Sequence, residues 1–250
     1  MEIEAYLKEY PRAAVALSGG VDSSYVLWVA ARCCAQVKAY CVRSEFQPRF
    51  EIEDARRIAA IAHAELEILD VSVLSAPEVT CNAADRCYRC KKLIFGAIRA
   101  AAARDGFPCL LDGTNASDDA GSRPGMRALE ELAVLSPLRA CGLTKDAVRA
   151  RARAAGLFTW DKPAYACLAT RIPTGEEITA EKLARTERAE TFLAALGFTN
   201  FRVRTASGAA RVQLPASQLA EALRLREEIV RELKRYYSAV TLDLEVRDES

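Results

Sequence analysis

Short apolar runs alternate with longer amphipathic stretches through the first half of this chain. Ala13–Leu17, Val37–Val42, Glu65–Val71 and Cys109–Gly113 are brief and rich in Val, Leu and Ile, which predicts strands. Between them, Ser24–Cys34, Phe50–Ala62 and Cys90–Asp105 place apolar residues at three- and four-residue intervals, which predicts helices. Strand and helix in strict alternation imply crossover units, hence an α/β fold whose parallel sheet carries helices on both faces. In such sheets ligands lie at the carboxyl ends of the strands. Two polar segments are expected there: Ser18–Ser24 after the first strand and Asp112–Asn115 after the fourth.

The pattern changes in the second half. A helix is expected over Thr144–Ala155, with Thr144 as N-cap and Gly156 as its stop. Beyond the loop Trp160–Gly175 come a helix at Thr179–Leu196 and paired strands at Phe201–Arg204 and Ala210–Leu214. A long helix at Ser217–Tyr237 and a last strand at Val240–Glu245 complete the series. This texture predicts a small C-terminal α+β domain, so the expected division is residues 1–168 and 169–250. A chain of 250 residues is long enough to bury a core in both.

Ala16-Leu17-Ser18-Gly19-Gly20-Val21-Asp22-Ser23-Ser24 is the segment with the clearest chemistry. It runs from strand through glycine turn into a helix N-terminus, where unpaired N–H groups and the helix dipole attract an anion. Gly19 and Gly20 let the backbone approach a phosphate, Ser18, Ser23 and Ser24 supply hydroxyl donors, and Asp22 suits the magnesium that accompanies a triphosphate. The spacing is not that of the Walker loop, and no lysine follows the glycines. It resembles the PP-loop of the ATP pyrophosphatases, which split ATP between its α- and β-phosphates.

Composition narrows the setting. The net charge of +1 creates no field that argues for nucleic acid, and charged residues interrupt each apolar run before membrane-spanning length. Met1-Glu2-Ile3-Glu4 lacks the basic and apolar regions of an export signal, so a cytoplasmic protein without membrane contact is expected. Nine cysteines, an odd number, then point to thiols or metal rather than a disulfide framework. Cys33, Cys34, Cys41, Cys109 and Cys141 sit among Ala, Val and Leu and read as small buried hydrophobes. The single histidine, His63, reads as a surface or boundary residue.

Cys87-Tyr88-Arg89-Cys90 differs from those five. It opens a predicted helix and is flanked by Arg86, Lys91 and Lys92, conditions that favour thiolate. Cys167 lies far along the chain in Tyr165-Ala166-Cys167-Leu168-Ala169-Thr170-Arg171. Three thiolates suit a 4Fe–4S cluster with one open iron, four with Cys81 suit zinc, and Cys87 with Cys90 suits a redox pair; spacing does not choose among them.

Six motifs in order resemble the LarE family of ATP-dependent sulfur transferases, a Rossmann-like PP-loop group. They are Ser18–Ser24; Asp85-Arg86-Cys87-Tyr88-x-Cys90-Lys91-Lys92; Asp112-Gly113-Thr114-Asn115; Arg123-Pro124-Gly125-x-Arg127; Ser136-Pro137-Leu138; and Cys167-Leu168-Ala169-x-Arg171. The resemblance spans about residues 10–245, and Val246–Ser250 does not carry the glycine-rich tail of many members. It implies adenylation of a carboxylate of pyridinium-3,5-biscarboxylic acid mononucleotide and its conversion to a thiocarboxylate, a step in making the nickel-pincer nucleotide cofactor. One branch of the family sacrifices a cysteine one residue before Cys167, where this chain has Ala166. Another branch holds a 4Fe–4S cluster on three cysteines, here Cys87, Cys90 and Cys167.

The expected site follows from loop and resemblance together. ATP and Mg2+ meet Ser18, Gly19, Gly20, Val21, Asp22, Ser23, Ser24, Asp112, Gly113 and Thr114. The substrate anions meet Asn115, Arg123, Arg171, Arg202 and Arg204, and Cys167, Asp22 and Arg171 act in the chemistry. The resemblance also implies a homo-oligomer. A cluster-dependent tRNA thiolase is the main competing function, and it requires a basic RNA-binding surface that this charge balance does not supply. An ammonia-accepting adenylating enzyme leaves the three cysteines without a role. A nucleotide sensor would bind ATP without turnover.

Overall fold

The computed structural model describes residues 1–118 and 124–247. In chain order the elements are α1 (Ile3–Lys8), β1 (Arg12–Ala16), α2 (Val21–Cys33), β2 (Gln36–Arg43), α3 (Arg49–Ala62), β3 (Glu65–Asp70), α4 (Pro77–Thr80), α5 (Arg86–Arg104) and β4 (Cys109–Leu111). There follow α6 (Pro124–Glu131), α7 (Pro137–Ala140), α8 (Lys145–Ala154), α9 (Ala180–Ala195), β5 (Arg202–Ala206), β6 (Ala209–Gln213), α10 (Leu219–Arg224), α11 (Arg226–Leu233) and β7 (Val240–Leu242). They divide into two compact units, Met1–Val73 with Asp85–Lys162, and Leu74–Ala84 with Pro163 onward. No helix among the described residues is long and apolar enough to cross a membrane.

The first unit is the expected α/β layer structure. Its four strands are parallel in the order β3-β2-β1-β4. Alternation along the strands sorts side chains to two apolar faces. Ala13, Val15, Ala39 and Cys41 pack with residues of α1, α2, α3 and α8, while Ala14, Tyr40 and Val42 pack with Ile98, Ala101 and Ala102 of α5. Helix α1 is an element that the apolar pattern did not announce: Ile3 and Leu7, one turn apart, are fully buried in an otherwise polar segment. Of the five cysteines expected to be buried, Cys41 is, whereas Cys33, Cys34, Cys109 and Cys141 are half-buried against the core. Burial pushes the Cys34 thiol up to about 11 and Cys41 to about 12, and also raises the other three. His63 is exposed and ends α3 in the left-handed conformation.

At the other end of the strands, Lys38 is clamped by Asp105 at 2.5 Å and by Glu65 and Glu67 at 2.9 Å. Bonds from Arg104, Lys38 and Tyr40 hold the Asp105 carboxyl well below the usual carboxylate range. Because the folded value is depressed, this contribution is present above the ordinary carboxylate range and disappears as pH falls through the folded value. Urea unfolding from pH 7 to pH 2 is expected to show acid destabilisation in the wild type and a flatter profile in Asp105→Asn.

The second unit is a three-stranded sheet in the order β5-β6-β7, with β5 and β6 antiparallel and β7 parallel to β6. Leu193, Phe198, Val203, Val212, Leu214, Ile229 and Leu233 form its core. The expected single helix over Ser217–Tyr237 is instead a 3-10 turn at Ala216–Gln218 followed by α10 and α11. The core-facing positions change interval at the break: Leu219, Ala222 and Leu225 are three apart, whereas Leu225, Ile229 and Leu233 are four apart. At about 100° per residue the first spacing drifts one way around a helix and the second the other. Leu225, at φ −92° and ψ 10°, resets the direction.

Candidate functional site

The first unit places the glycine turn where a parallel sheet binds ligands. Strand β1 ends at Ala16, and α2 begins at Val21 with Gly20 as N-cap. The serines close the turn internally. Ser18 Oγ lies 3.1 Å from Ser23 Oγ, Ser18 N donates to Ser23 Oγ at 3.2 Å, and Ser24 Oγ donates to the Gly20 carbonyl at 2.7 Å. Gly19 has φ +78°, and a Cβ there would stand 2.6 Å from the Glu51 carbonyl oxygen in α3. The turn therefore requires glycine both for its conformation and for its space.

The end of β4 closes the other side. Asp112 accepts from Thr114 N at 3.2 Å, from Thr114 Oγ1 and from Ser136 Oγ at 2.7 Å. Asn115 donates through Nδ2 to Asp22 at 3.3 Å, and Lys145 Nζ reaches the same carboxylate at 2.5 Å. Ser18–Ser24 and Asp112–Asn115 thus meet at Asp22 and at Gly113, whose absent Cβ leaves room for the Ser23 backbone. Lys145, Lys162 and Ser136 also belong to this site and were missed as candidates by sequence reasoning. Ser136 stood within a family motif. Lys145, beside the Thr144 cap, gave no local sign of reaching back 123 residues.

Cys87 and Cys90 both lie on α5, one turn apart on one face, because the helix starts at Arg86 rather than Cys90. Two family motifs pack together to hold this turn. Tyr88 and Lys92 each donate to Glu131 Oε2 at 2.8 Å, Arg127 covers the Tyr88 ring at 4.0 Å, and a Cβ on Gly125 would meet Lys91 at 2.9 Å. None of the nine cysteines is disulfide-bonded. Among the described residues, no group of three or more His, Cys, Asp or Glu side chains gathers as a metal site.

In the second unit, three arginines hold the loop that carries Cys167. Arg171 is buried at 1% exposure; it donates to Glu190 through Nε at 2.8 Å and Nη2 at 3.0 Å, and through Nη1 to the carbonyls of Ala166 (2.7 Å) and Cys167 (3.3 Å). Arg202 donates to the Ala164 carbonyl at 2.6 Å, and Arg204 to the Thr170 carbonyl at 2.6 Å. Arg171 was expected to meet a substrate anion; in this structure its guanidinium is committed to Glu190 and to the loop. Arg202 has no carboxylate partner among the described residues, and burial, with Arg171 and Arg247 nearby, pulls it down to about 10. It stays charged at neutral pH as a desolvated cation, a state that an incoming anion relieves. Burial likewise lowers Arg204. Arg123 lies outside the described residues.

A parallel sheet, a glycine turn at its ligand-binding edge, and an acid–lysine pair against that turn define a nucleotide-using α/β protein of the PP-loop class. Comparison with known proteins specifies which group. The asparagine synthase family profile matches residues 5–243. A pyridinium-3,5-bisthiocarboxylic acid mononucleotide synthase of Lactiplantibacillus plantarum is 32% identical over 96% of this chain and 88% of its own length. An uncharacterized protein of Synechocystis sp. is 37% identical over 97% of this chain and 92% of its own, and one of Methanocaldococcus jannaschii is 27% identical over 93% and 89%. The chain belongs to the LarE family of ATP-using sulfur transferases within the PP-loop superfamily.

Proposed function

We propose that this enzyme adenylates a carboxylate of pyridinium-3,5-biscarboxylic acid mononucleotide and replaces one of its oxygens with sulfur, giving the thiocarboxylate. The observation that carries this is the meeting of Ser18–Ser24 with Asp112–Asn115 in a chain 32% identical to the Lactiplantibacillus synthase. A carboxylate is a poor electrophile until it carries a leaving group. ATP lies across Ser18–Ser24, and the substrate carboxylate attacks the α-phosphate. Pyrophosphate departs against N–H donors already oriented by the turn, so little reorganisation is needed. Asp22, which also accepts from Lys145, would be the carboxylate to hold the magnesium that accompanies a triphosphate, and that ion would neutralise phosphate charge. Arg202 and Arg204 receive the nucleotide phosphate or second carboxylate of the substrate, with Asn115 and Arg123 completing its contacts. Arg171 acts through the position of Cys167.

Sulfur delivery is assigned to Cys87, Cys90 and Cys167. As donor types three thiolates suit a 4Fe–4S cluster, and Cys87 and Cys90 share one face of α5. No metal-ligating group is gathered among the described residues, and Cys167 enters as third donor on the family resemblance alone. Such a cluster would supply the sulfur atom at its open iron. Cytoplasmic location and a homo-oligomer belong to the same reading.

Anaerobic purification with iron and sulfide analysis, followed by turnover with sulfide, tests the delivery half. Cys87→Ser is expected to lose iron and thiocarboxylate formation, reducing product at least 100-fold, while substrate-dependent pyrophosphate release persists. Full product formation by Cys87→Ser removes the cluster. Pyrophosphate release that does not depend on the pyridinium nucleotide removes the activation step.

A further inference from the structure

Lys162 is 143 residues from the glycine turn in sequence, yet it touches it. Its Nζ donates to the Gly19 carbonyl at 3.1 Å and to Asp54 Oδ2 at 2.5 Å. The side chain is only 17% exposed and lies 5.0 Å from the Phe50 ring. The backbone beneath it is fixed as well. Arg149 donates to the Trp160 carbonyl at 3.0 Å and the Lys162 carbonyl at 2.9 Å, and Lys162 N donates to Thr159 O at 3.2 Å. A mobile surface lysine would not be held at so many points.

We infer that Lys162 is a positioning residue that sets the Gly19–Gly20 peptide plane so that the Gly20 N–H faces the leaving pyrophosphate. A trans peptide is planar, with its C=O and N–H pointing opposite ways. Drawing the Gly19 oxygen toward Lys162 and α3 therefore turns the Gly20 N–H to the other side, into the turn. There it has only a long contact of 3.4 Å to Ser18 Oγ, outside the usual range for a good bond, and so it is available to an anion. Glycine at 19, at φ +78° and without a side chain, leaves its peptide more rotational freedom than another residue would, and the Lys162 bond adds a restraint on the carbonyl. Asp54 holds the ammonium in place and keeps it from moving onto the phosphates. Lys162 thus differs from Lys145, which sits on the Asp22 carboxylate.

Titration of pyrophosphate, ATP and AMP into wild type and Lys162→Met tests this, together with the 15N–1H spectrum of both proteins without nucleotide. The expected result is about tenfold weaker binding of pyrophosphate and ATP, AMP affinity within about twofold, and a shifted Gly20 amide before any ligand is added. Lys162→Gln is measured in parallel, so a methionine variant that does not fold leaves the same readouts in hand. Unchanged pyrophosphate affinity overturns the inference. So does an equal loss for AMP and pyrophosphate, which marks a general structural effect. Weaker pyrophosphate binding with an unmoved Gly20 amide also overturns it, because Lys162 would then be touching the anion directly. Wild-type protein that fails to bind pyrophosphate overturns both this inference and nucleotide use at the turn.

Discussion

Glu190→Gln is expected to destabilise the protein by about 3–5 kcal/mol, the usual cost of removing one partner from a buried ion pair. Glu190 accepts from Arg171 Nε and Nη2, from the Tyr165 hydroxyl at 2.6 Å and from Val203 N at 2.9 Å. The two side chains of the pair are 0% and 6% exposed. An amide in place of the carboxylate leaves the guanidinium buried without its counter-charge and turns an NH2 toward groups that are themselves donors. Urea unfolding followed by circular dichroism measures the loss, and a change below about 1 kcal/mol would show that the pair is far more hydrated than its geometry indicates.

The double variant Arg171→Met with Glu190→Leu separates stability from function. Removing both charges together relieves the desolvation cost, so it should recover most of the stability lost by Glu190→Gln. It should still fail to make thiocarboxylate, because the Ala166 and Cys167 carbonyls lose the Arg171 donor that fixes them. Stable protein with normal sulfur transfer would reduce the pair to a packing element. Glu190 therefore joins the site through Arg171, although it touches no substrate.

Glu190 also shows where the sequence stopped being informative. It sits on α9 among Glu, Arg and Lys residues that are exposed or half-buried, and no local pattern marks it as the charge that is buried. Arg171 has the same difficulty: as part of a motif it reads as an anion ligand, and only its partner 19 residues on reveals that it holds the loop. Lys145 and Lys162 are long-range partners of the same kind. The parallel strands with their alternating helices, the glycine turn and the end of β4 were legible because their signals are local: apolar period, turn residues and a helix start within a few positions. What stayed hidden was pairing, since an ion pair across more than a hundred residues leaves no periodic trace. The split between α10 and α11 falls between these cases, being written in the change from three- to four-residue intervals at Leu225.

Gly113→Ala should strongly impair nucleotide use although it adds only one methyl group. A Cβ at Gly113 would stand 2.6 Å from Ser23 N, 3.0 Å from Ser23 Cα and 3.1 Å from the Asp22 carbonyl carbon. All three are backbone atoms of the first turn of α2, so no side chain can swing away to make room. Either the end of β4 or the phosphate-binding turn has to retreat by several tenths of an ångström, and the Asn115–Asp22 contact opens with it. A full 1 Å misplacement costs about 100-fold in rate where reacting groups must be aligned, so a retreat of several tenths of an ångström costs about tenfold. We expect kcat/KM for ATP, followed by pyrophosphate release, to fall by at least that factor. Gly142→Ala is the control. Its φ of +69° disfavours alanine, but no atom stands within 4 Å of the added methyl, so it should cost about 1 kcal/mol of stability and leave the kinetics alone. Equal kinetic losses in the two variants would mean that the turn responds to general loosening. A loss confined to Gly113→Ala ties catalysis to the fit between the end of β4 and the turn that grips ATP.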